Sequence, residues 1–182
     1  RSRLLLCTAM LSVAQALTLP ALAGSAAPDA LPTGGQVQSG IANITTAGTV
    51  MTVNQTTDKA IISWQQFNVG SGAYVHFQQP DAQSMTLNRV RGAGQSMING
   101  TISAPGTVIL VNPNVVLFGG GAKVDVGGLV ASTMDIANED FENGRLVFQR
   151  GASDGAIINE GSLKAHGGAV VLLASQITNL GL

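Results

Sequence analysis

The chain has 182 residues, a formal net charge of −1, and 45% hydrophobic but only 10% charged residues. Low charge with this apolar content excludes a disordered chain, and it gives no sign of the basic footprint of a nucleic-acid-binding domain. The 23 glycines and the 4% aromatic content favour a β-rich chain with turns of Gly, Asn, Asp and Ser. Because the sequence starts at Arg1 and stops at Leu182 inside an apolar repeat, we expect a piece of a longer protein.

The first 23 residues have the pattern of a secretory signal peptide. A positively charged start is followed by a mostly apolar, uncharged run over residues 4–19, which Pro20 ends. Ala21 and Ala23 supply the small side chains that signal peptidase recognises, so we expect cleavage after Ala23. A transmembrane helix is the alternative, but a span needs about 20 apolar residues, and this run is shorter.

Removal of residues 1–23 would also remove Cys7, the single cysteine. A lipoprotein interpretation of Cys7 fails, because the apolar core of the signal would follow the cysteine instead of preceding it. The mature chain is then predicted to have no thiol, although exported proteins often use disulfides. We hypothesise that it avoids disulfides because it stays unfolded while it crosses a second membrane through a narrow pore.

The rest of the chain is predicted to be a linker followed by short strands. Residues 24–33 are rich in Ala, Pro and Ser and indicate the linker. From Gly34 onward, short runs with period-two alternation end at Gly, Pro, Asn or Asp, and these runs are too short for an ordinary helix. The predicted strand segments in the first half are residues 48–54, 60–70, 73–77 and 84–91.

An internal repeat favours a solenoid. Residues 97–111 and 157–173 share an apolar start with Ile-Asn, a Gly turn and four apolar residues. The offset from Ile98 to Ile158 is 60 residues, which we interpret as three rungs of about twenty. The predicted fold is therefore an all-β, right-handed parallel β-helix. A β-sandwich and a β-propeller are the alternatives, but aromatic residues are scarce and blade repeats are not seen.

One helical interruption is predicted within residues 132–143. Thr133 or Asp135 would cap it, and Asn143-Gly144 would end it. Residues 136–143 carry three of the ten acidic residues of the chain. We interpret the interruption as a solvated excursion from the solenoid.

Several motifs occur in the order typical of one family. They are TDKAIISWQQFNVG at residues 57–70, LNRV at 87–90, Asn112-Pro113-Asn114, and the Gly-rich run at 118–133. With these motifs the chain resembles the N-terminal secretion domain of filamentous haemagglutinin-like exoproteins, which leave the cell by two-partner secretion. The resemblance runs from about residue 31 to the end. It implies a right-handed β-helix over residues 34–182, with an N-terminal cap and small extra-helical strands.

The resemblance also implies a function and partners. The domain would be the secretion signal and folding nucleus of a large adhesin, haemagglutinin or related exoprotein, secreted or placed on the bacterial surface via the periplasm. Its partner would be an outer-membrane TpsB-type β-barrel transporter, reached through periplasmic POTRA domains. Host-cell receptors or glycans are candidate partners of the downstream chain. The alternative function is an adhesive module that contacts host glycans or cell surfaces directly.

The candidate secretion motif comprises Asn112, Pro113 and Asn114, together with Asn88 and Arg89. Relatives commonly have Gly after Asn-Pro-Asn, whereas this chain has a valine, which disfavours φ > 0. We therefore expect the corner to turn at the two asparagines, and we favour a structural role for it over direct binding by the transporter.

The remaining candidate residues indicate packing more than chemistry. Asn88 is predicted to be a turn or ladder residue and Arg89 to be solvated, while Trp64 and Phe67 are assigned to the core or cap. The two histidines are ninety residues apart and lack metal-ligand spacing. Charges are isolated rather than clustered, so no catalytic, metal or cofactor site is predicted.

Overall fold

The computed structural model describes residues 26–151 and 154–182, in which we find sixteen strands and one short helix. The predicted signal peptide, with Ala21 and Ala23, lies outside the described residues. The elements in chain order are β1 (Gln36–Ser39), β2 (Ala42–Ala47), β3 (Val50–Gln55), β4 (Lys59–Trp64), β5 (Tyr74–Gln78), β6 (Met85–Val90), β7 (Ser96–Ile98), β8 (Thr101–Val111), β9 (Val115–Phe118), β10 (Lys123–Ser132), β11 (Asp135–Ile136), α1 (Asn138–Glu142), β12 (Phe148–Gln149), β13 (Ala156–Asn159), β14 (Ser162–Ala165), β15 (Val170–Leu173) and β16 (Gln176–Asn179).

The strands wind into a β-solenoid of about five turns, which confirms the predicted β-helix. Its wall has three parallel sheets. Sheet A contains β3, β5, the first halves of β8 and β10, and β14. Sheet B contains β4, β6, the second halves of β8 and β10, and β15. Sheet C contains β7, β9, β13 and β16.

Alternate side chains from the three sheets fill the interior. Residues in register on successive rungs stack into columns, and one such column in sheet A is Met51, Val75, Ile102 and Val124. Trp64 and Phe67 meet edge to face inside the first rungs, with ring centroids 5.5 Å apart. Both rings are buried, as predicted. A single rung exposes such side chains above and below, so the stacking of rungs creates the core.

The rung spacing differs from the prediction. Ile98 lies beside Phe118, and Phe118 lies beside Asn159. Two rungs, not three, therefore separate the two copies of the repeat. The extra residues belong to an excursion that leaves the solenoid after β10, forms β11, α1 and β12, and returns at β13. An offset of sixty residues is compatible with three rungs and also with two rungs and the excursion, because the excursion is about as long as a rung.

Two strands outside the spiral cover its N-terminal end. β1 runs antiparallel to β4 and β2 runs antiparallel to β3, so each extends one sheet of the first rung. β11 and β12 form a separate antiparallel pair. These are the cap and the extra-helical strands that the family resemblance implied.

Part of the predicted linker belongs to the folded domain. The backbone N–H groups of Gly70 and Gly72 donate to the carbonyls of Ala30 and Pro28, each at 2.8 Å. Thr33 forms a bridge with Gln66 of the first corner. Residues 28–33 therefore lie along the solenoid.

None of the helical structure in the described part of the chain is long and apolar enough for a membrane span.

Candidate functional site: the Asn-Pro-Asn corner and its surroundings

The Asn-Pro-Asn motif forms the corner of the third rung, between β8 in sheet B and β9 in sheet C. It stacks on the corner of the second rung, which is formed by residues 91–95. On its other side, the backbone N–H of Asn112 donates to the Ser132 carbonyl of the fourth rung at 2.9 Å. The motif is therefore held between two neighbouring turns of the solenoid.

The side chain of Asn112 organises this corner. Asn112 is fully buried, and its amide Nδ2 donates to the Gly94 carbonyl at 3.1 Å and to Ser96 Oγ at 2.9 Å. Its Oδ1 accepts from the backbone N–H of Asn114 at 2.9 Å. One side chain thus closes the turn and joins it to the rung beneath.

Asn114 adds a second, more accessible set of contacts. Its Nδ2 donates to the carbonyls of Gly92 at 3.2 Å and Gly94 at 3.3 Å. Across the described residues, only glycines have a positive φ, so neither asparagine uses the left-handed region. Val115 begins β9 in extended conformation, as predicted. The corner turns through side-chain hydrogen bonds, and for this reason it tolerates a valine in the next position.

Asn88 lies inside the solenoid. It sits in β6 between Ile62 and Leu110 of the neighbouring rungs, so its assignment as a ladder residue is confirmed. The indole Nε1 of Trp64 donates to Asn88 Oδ1 at 3.0 Å, and Asn88 Nδ2 donates to the Ile109 carbonyl at 3.3 Å. This buried amide satisfies the indole N–H, which water does not reach.

The prediction that Arg89 is solvated is wrong. Its side chain is only 4% exposed and points outward from sheet B into the excursion. Nε donates to Asp135 Oδ1 at 2.7 Å, Nη1 donates to Asn138 Oδ1 at 2.7 Å, and Nη2 donates to the Ile136 carbonyl. The guanidinium is desolvated because the excursion folds over it, and three oxygens replace water.

The predicted helical interruption is present but differs in two respects. The helix α1 follows Ala137, which makes no side-chain cap, so neither Thr133 nor Asp135 has the predicted capping role. Gly144 follows the helix with a φ of 75°, as expected for its end. The excursion is not merely solvated, because Phe141 is fully buried against sheet B.

Asp135 connects the two parts of the candidate motif. It binds Arg89, and it also lines a pocket of about 510 Å³ above the Asn-Pro-Asn corner. The lining residues are Pro113, Asn114, Thr133, Asp135, Gly151, Asp154 and Gly155. The sequence contains no local signal for this role of Asp135, since its partner lies 46 residues away.

The ionisable groups of the described residues stand in small, separate contacts. His76 Nδ1 lies 2.8 Å from Ser103 Oγ, and His166 Nε2 contacts Asp125, both on the outer side of sheet A. Within residues 26–151 and 154–182, no three His, Cys, Asp or Glu side chains gather as metal ligands. The motif residues therefore form an architectural site, with buried hydrogen bonds and one exposed pocket.

Comparisons with known proteins agree with this architecture. The family model described as TPS secretion domain matches residues 28–182. A heme/hemopexin-binding protein of Haemophilus influenzae is 38% identical over 158 residues, which are 83% of this chain and 18% of that protein. A second Haemophilus influenzae protein of the same name is 38% identical over 111 residues, or 61% of this chain and 12% of its own. The chain thus spans less than a fifth of these relatives.

A solved structure shows the same fold. The crystal structure of the HMW1 secretion domain from Haemophilus influenzae superposes with a TM-score of 0.79. The two chains are 31% identical, and the match covers 82% of this chain and 41% of the other. Fold, motif order and sequence therefore point to one family.

Proposed function

The chain belongs to the TPS secretion domain family, and from this membership we propose that it is the secretion signal and folding nucleus of a larger exoprotein. The buried corner carries the proposal. The side chains of three motif residues join neighbouring rungs or hold the excursion; these residues are Asn112, Asn88 and Arg89. Residues that match the family motifs thus build the first turns of a solenoid, and further rungs can be added onto a completed turn.

We propose that the partner is an outer-membrane TpsB-type transporter, and that contact occurs through its periplasmic POTRA domains. β1 and β2 support this, because each ends its sheet and pairs with a single neighbour in the described structure. Most residues of β2 are exposed. An edge strand of this kind, or the same segment while still extended, can add to a sheet of another protein.

The proposed export route combines the transporter contact with the folding of the rungs outside the cell. A signal peptide would deliver the chain to the periplasm, where the transporter binds it before folding is complete. On the outside, each new rung buries apolar side chains and adds a parallel ladder, which favours movement outward without nucleotide hydrolysis. The folded domain would then remain with the exoprotein, secreted or on the cell surface.

Binding to immobilised POTRA domains tests the partner. We expect Thr46→Pro in β2 to weaken binding, because the N–H of Thr46 points away from β3 to the open edge, and proline removes this donor and disfavours strand addition. Thr178→Pro in β16 is the matched control, since Thr178 is also an exposed threonine in an edge strand, at the opposite end. Circular dichroism checks that both variants keep their strand content. Equal binding by the two variants would contradict the edge assignment.

Export tests the function itself. A deletion of residues 54–133 removes the strands from β4 to β10, and we expect the exoprotein to stay in the periplasm. Normal export after this deletion would contradict the proposed function. Binding of the domain to host cells or glycans, without binding to the transporter, would favour the adhesive alternative instead.

A further inference from the structure

The outer side of sheet B carries an apolar stripe. Ile61, Leu87, Ile109 and Val130 stand in register on the first four rungs and point away from the main core. All four are buried, with Val130 the most exposed at 7%. An outward position on a solenoid normally faces water, so another segment must cover these side chains.

Residues 135–149, which we name the clasp, provide that cover. The clasp comprises β11, α1 and β12, and its Ile136 and Phe141 are buried in the same cluster as the stripe. Val171 continues the stripe on the fifth rung, where it lies beside Val130, and it is 36% exposed. The clasp thus covers the stripe on the first four rungs.

Polar anchors fix the clasp to early parts of the chain. Arg89 of the second rung makes the three hydrogen bonds described above. Lys59 Nζ of the first rung donates to the Glu142 carbonyl at 2.8 Å, where α1 ends. Ser39 Oγ of the cap donates to Glu142 Oε1 at 2.6 Å. The clasp therefore leaves from the fourth rung and reaches back to the first.

We propose that the clasp is a conformational device that closes after the rungs have stacked and locks the first four rungs into one folded unit. The strands of sheet B pair with one another directly, without any clasp residue in the ladder. The anchors join residues that are 46 to 103 positions apart in sequence. Contacts between residues so far apart in sequence form late in folding. Closing the long loop between them costs chain entropy before the contacts can stabilise the fold.

An open state follows from this order of events. Before closure the rungs are stacked, but the stripe and Arg89 face water. Closure buries the Phe141 side chain, and the removal of this apolar surface from water favours the closed state. Arg89 then exchanges water for three protein oxygens. Closure is thus the step that covers the apolar stripe of the first four rungs.

Hydrogen exchange on the folded protein tests the clasp, and no transporter is needed. We compare Phe141→Ala and Arg89→Gln with Arg145→Gln, a control in the same excursion whose side chain is 54% exposed and pairs with Asp140. We expect amides of residues 135–149 to exchange at least tenfold faster in the first two variants. Amides of β4, β6 and β8 should stay protected, and binding of a fluorescent apolar dye should increase. The control should resemble the wild type.

Two outcomes would overturn the proposal. One is a uniform increase of exchange over the rungs and the clasp, which would make the clasp an inseparable part of the solenoid. The other is unchanged exchange in the clasp. If Phe141→Ala or Arg89→Gln fails to fold, Lys59→Met removes a single anchor and gives the milder test of the same ordering. Pulse labelling during refolding must also show protection of β6 and β8 before the clasp; simultaneous protection contradicts late closure.

Discussion

At the scale of single residues, burial separates the two asparagines of the corner. Asn112 is inaccessible to water, so every hydrogen bond of its side chain must be met by protein groups. Asn114 is partly exposed and offers its amide to two carbonyls that water can also reach. A buried donor that loses its partner costs more than an exposed one, because water does not replace the bond. The motif is therefore asymmetric in its contribution to stability.

We expect Asn112→Ala to reduce the free energy of unfolding by about 1–3 kcal/mol, because the buried Ser96 Oγ loses a donor and the backbone N–H of Asn114 loses its acceptor. Asn114→Ala is the matched control and should cost less, under about 1 kcal/mol. Urea denaturation followed by tryptophan fluorescence measures both. A larger loss for Asn114→Ala would contradict the burial argument.

The turn between β5 and β6 gives a pH-dependent prediction. The hydroxyl of Ser84, and then the backbone N–H groups of Gln83 and Ser84, donate to Asp81 and hold the pKa of its carboxyl below the ordinary value of 3.8, although burial opposes this. A carboxyl with a lowered pKa in the folded state stabilises the fold at pH values above its ordinary pKa. This added stability is lost as the pH falls through the pKa of the folded state. The stability advantage over Asp81→Asn should therefore shrink below about pH 4. Ser84→Ala should reduce this dependence; denaturation midpoints between pH 2 and pH 7 provide the check.

At the scale of elements, the corners between sheets B and C stack closely on one another. A Cβ at Gly92 would lie 2.2 Å from the Gln65 carbonyl oxygen of the rung below. A Cβ at Gly155 would lie 2.1 Å from the carbonyl oxygen of Asn114. These glycines are required by close approach of backbone to backbone, not by their φ angles. The corners thus transmit the register of one rung to the next.

Gly92→Ala and Gly94→Ala form a matched pair within one corner. Gly92→Ala should lower stability by about 1–3 kcal/mol, because backbone must move to admit the methyl group. The methyl of Gly94→Ala meets nothing within 4 Å. This variant should be neutral or slightly stabilising, by up to about 1 kcal/mol, through the unfolded state. Thermal denaturation distinguishes the two, and equal changes in Tm would refute the stacking explanation.

At the scale of the whole molecule, the solenoid is held by stacked rungs, a cap and the clasp. The described residues contain no cysteine, so neighbouring turns are joined by ladders, apolar columns and buried amides. This organisation leaves the unfolded chain without cross-links. It suits a chain that passes through a pore before it folds.

A cross-link across the cap should therefore block export. Gln36 and Ser63 are opposite each other in the antiparallel pair of β1 and β4, where Cα atoms lie about 4.5–5.5 Å apart, a separation that permits a disulfide. With both residues changed to cysteine, secretion under oxidising conditions should fall at least tenfold and recover with reductant. Each single cysteine variant is the control. Undiminished secretion of the oxidised pair would remove the unfolded-passage hypothesis.

The sequence by itself determined the fold class, the family and most of the strands near the corner. The predicted segments at residues 48–54, 73–77 and 84–91 correspond to β3, β5 and β6. Alternation, turn residues and motif order are local signals, and each is written in a few neighbouring residues. Burial of Trp64 and Phe67 and the extended conformation of Val115 also followed from such signals.

Only the tertiary structure decided what the excursion does. The excursion is about as long as a rung, so the repeat spacing alone suggested three rungs between the two copies of the repeat, where there are two. Arg89 reads as a surface charge, and Phe141 as part of a polar loop, until the clasp brings both against sheet B. Such contacts join residues far apart in sequence and have no period or motif of their own. They depend on the stacking of the rungs, which places the outer stripe, the anchors and the clasp on one surface.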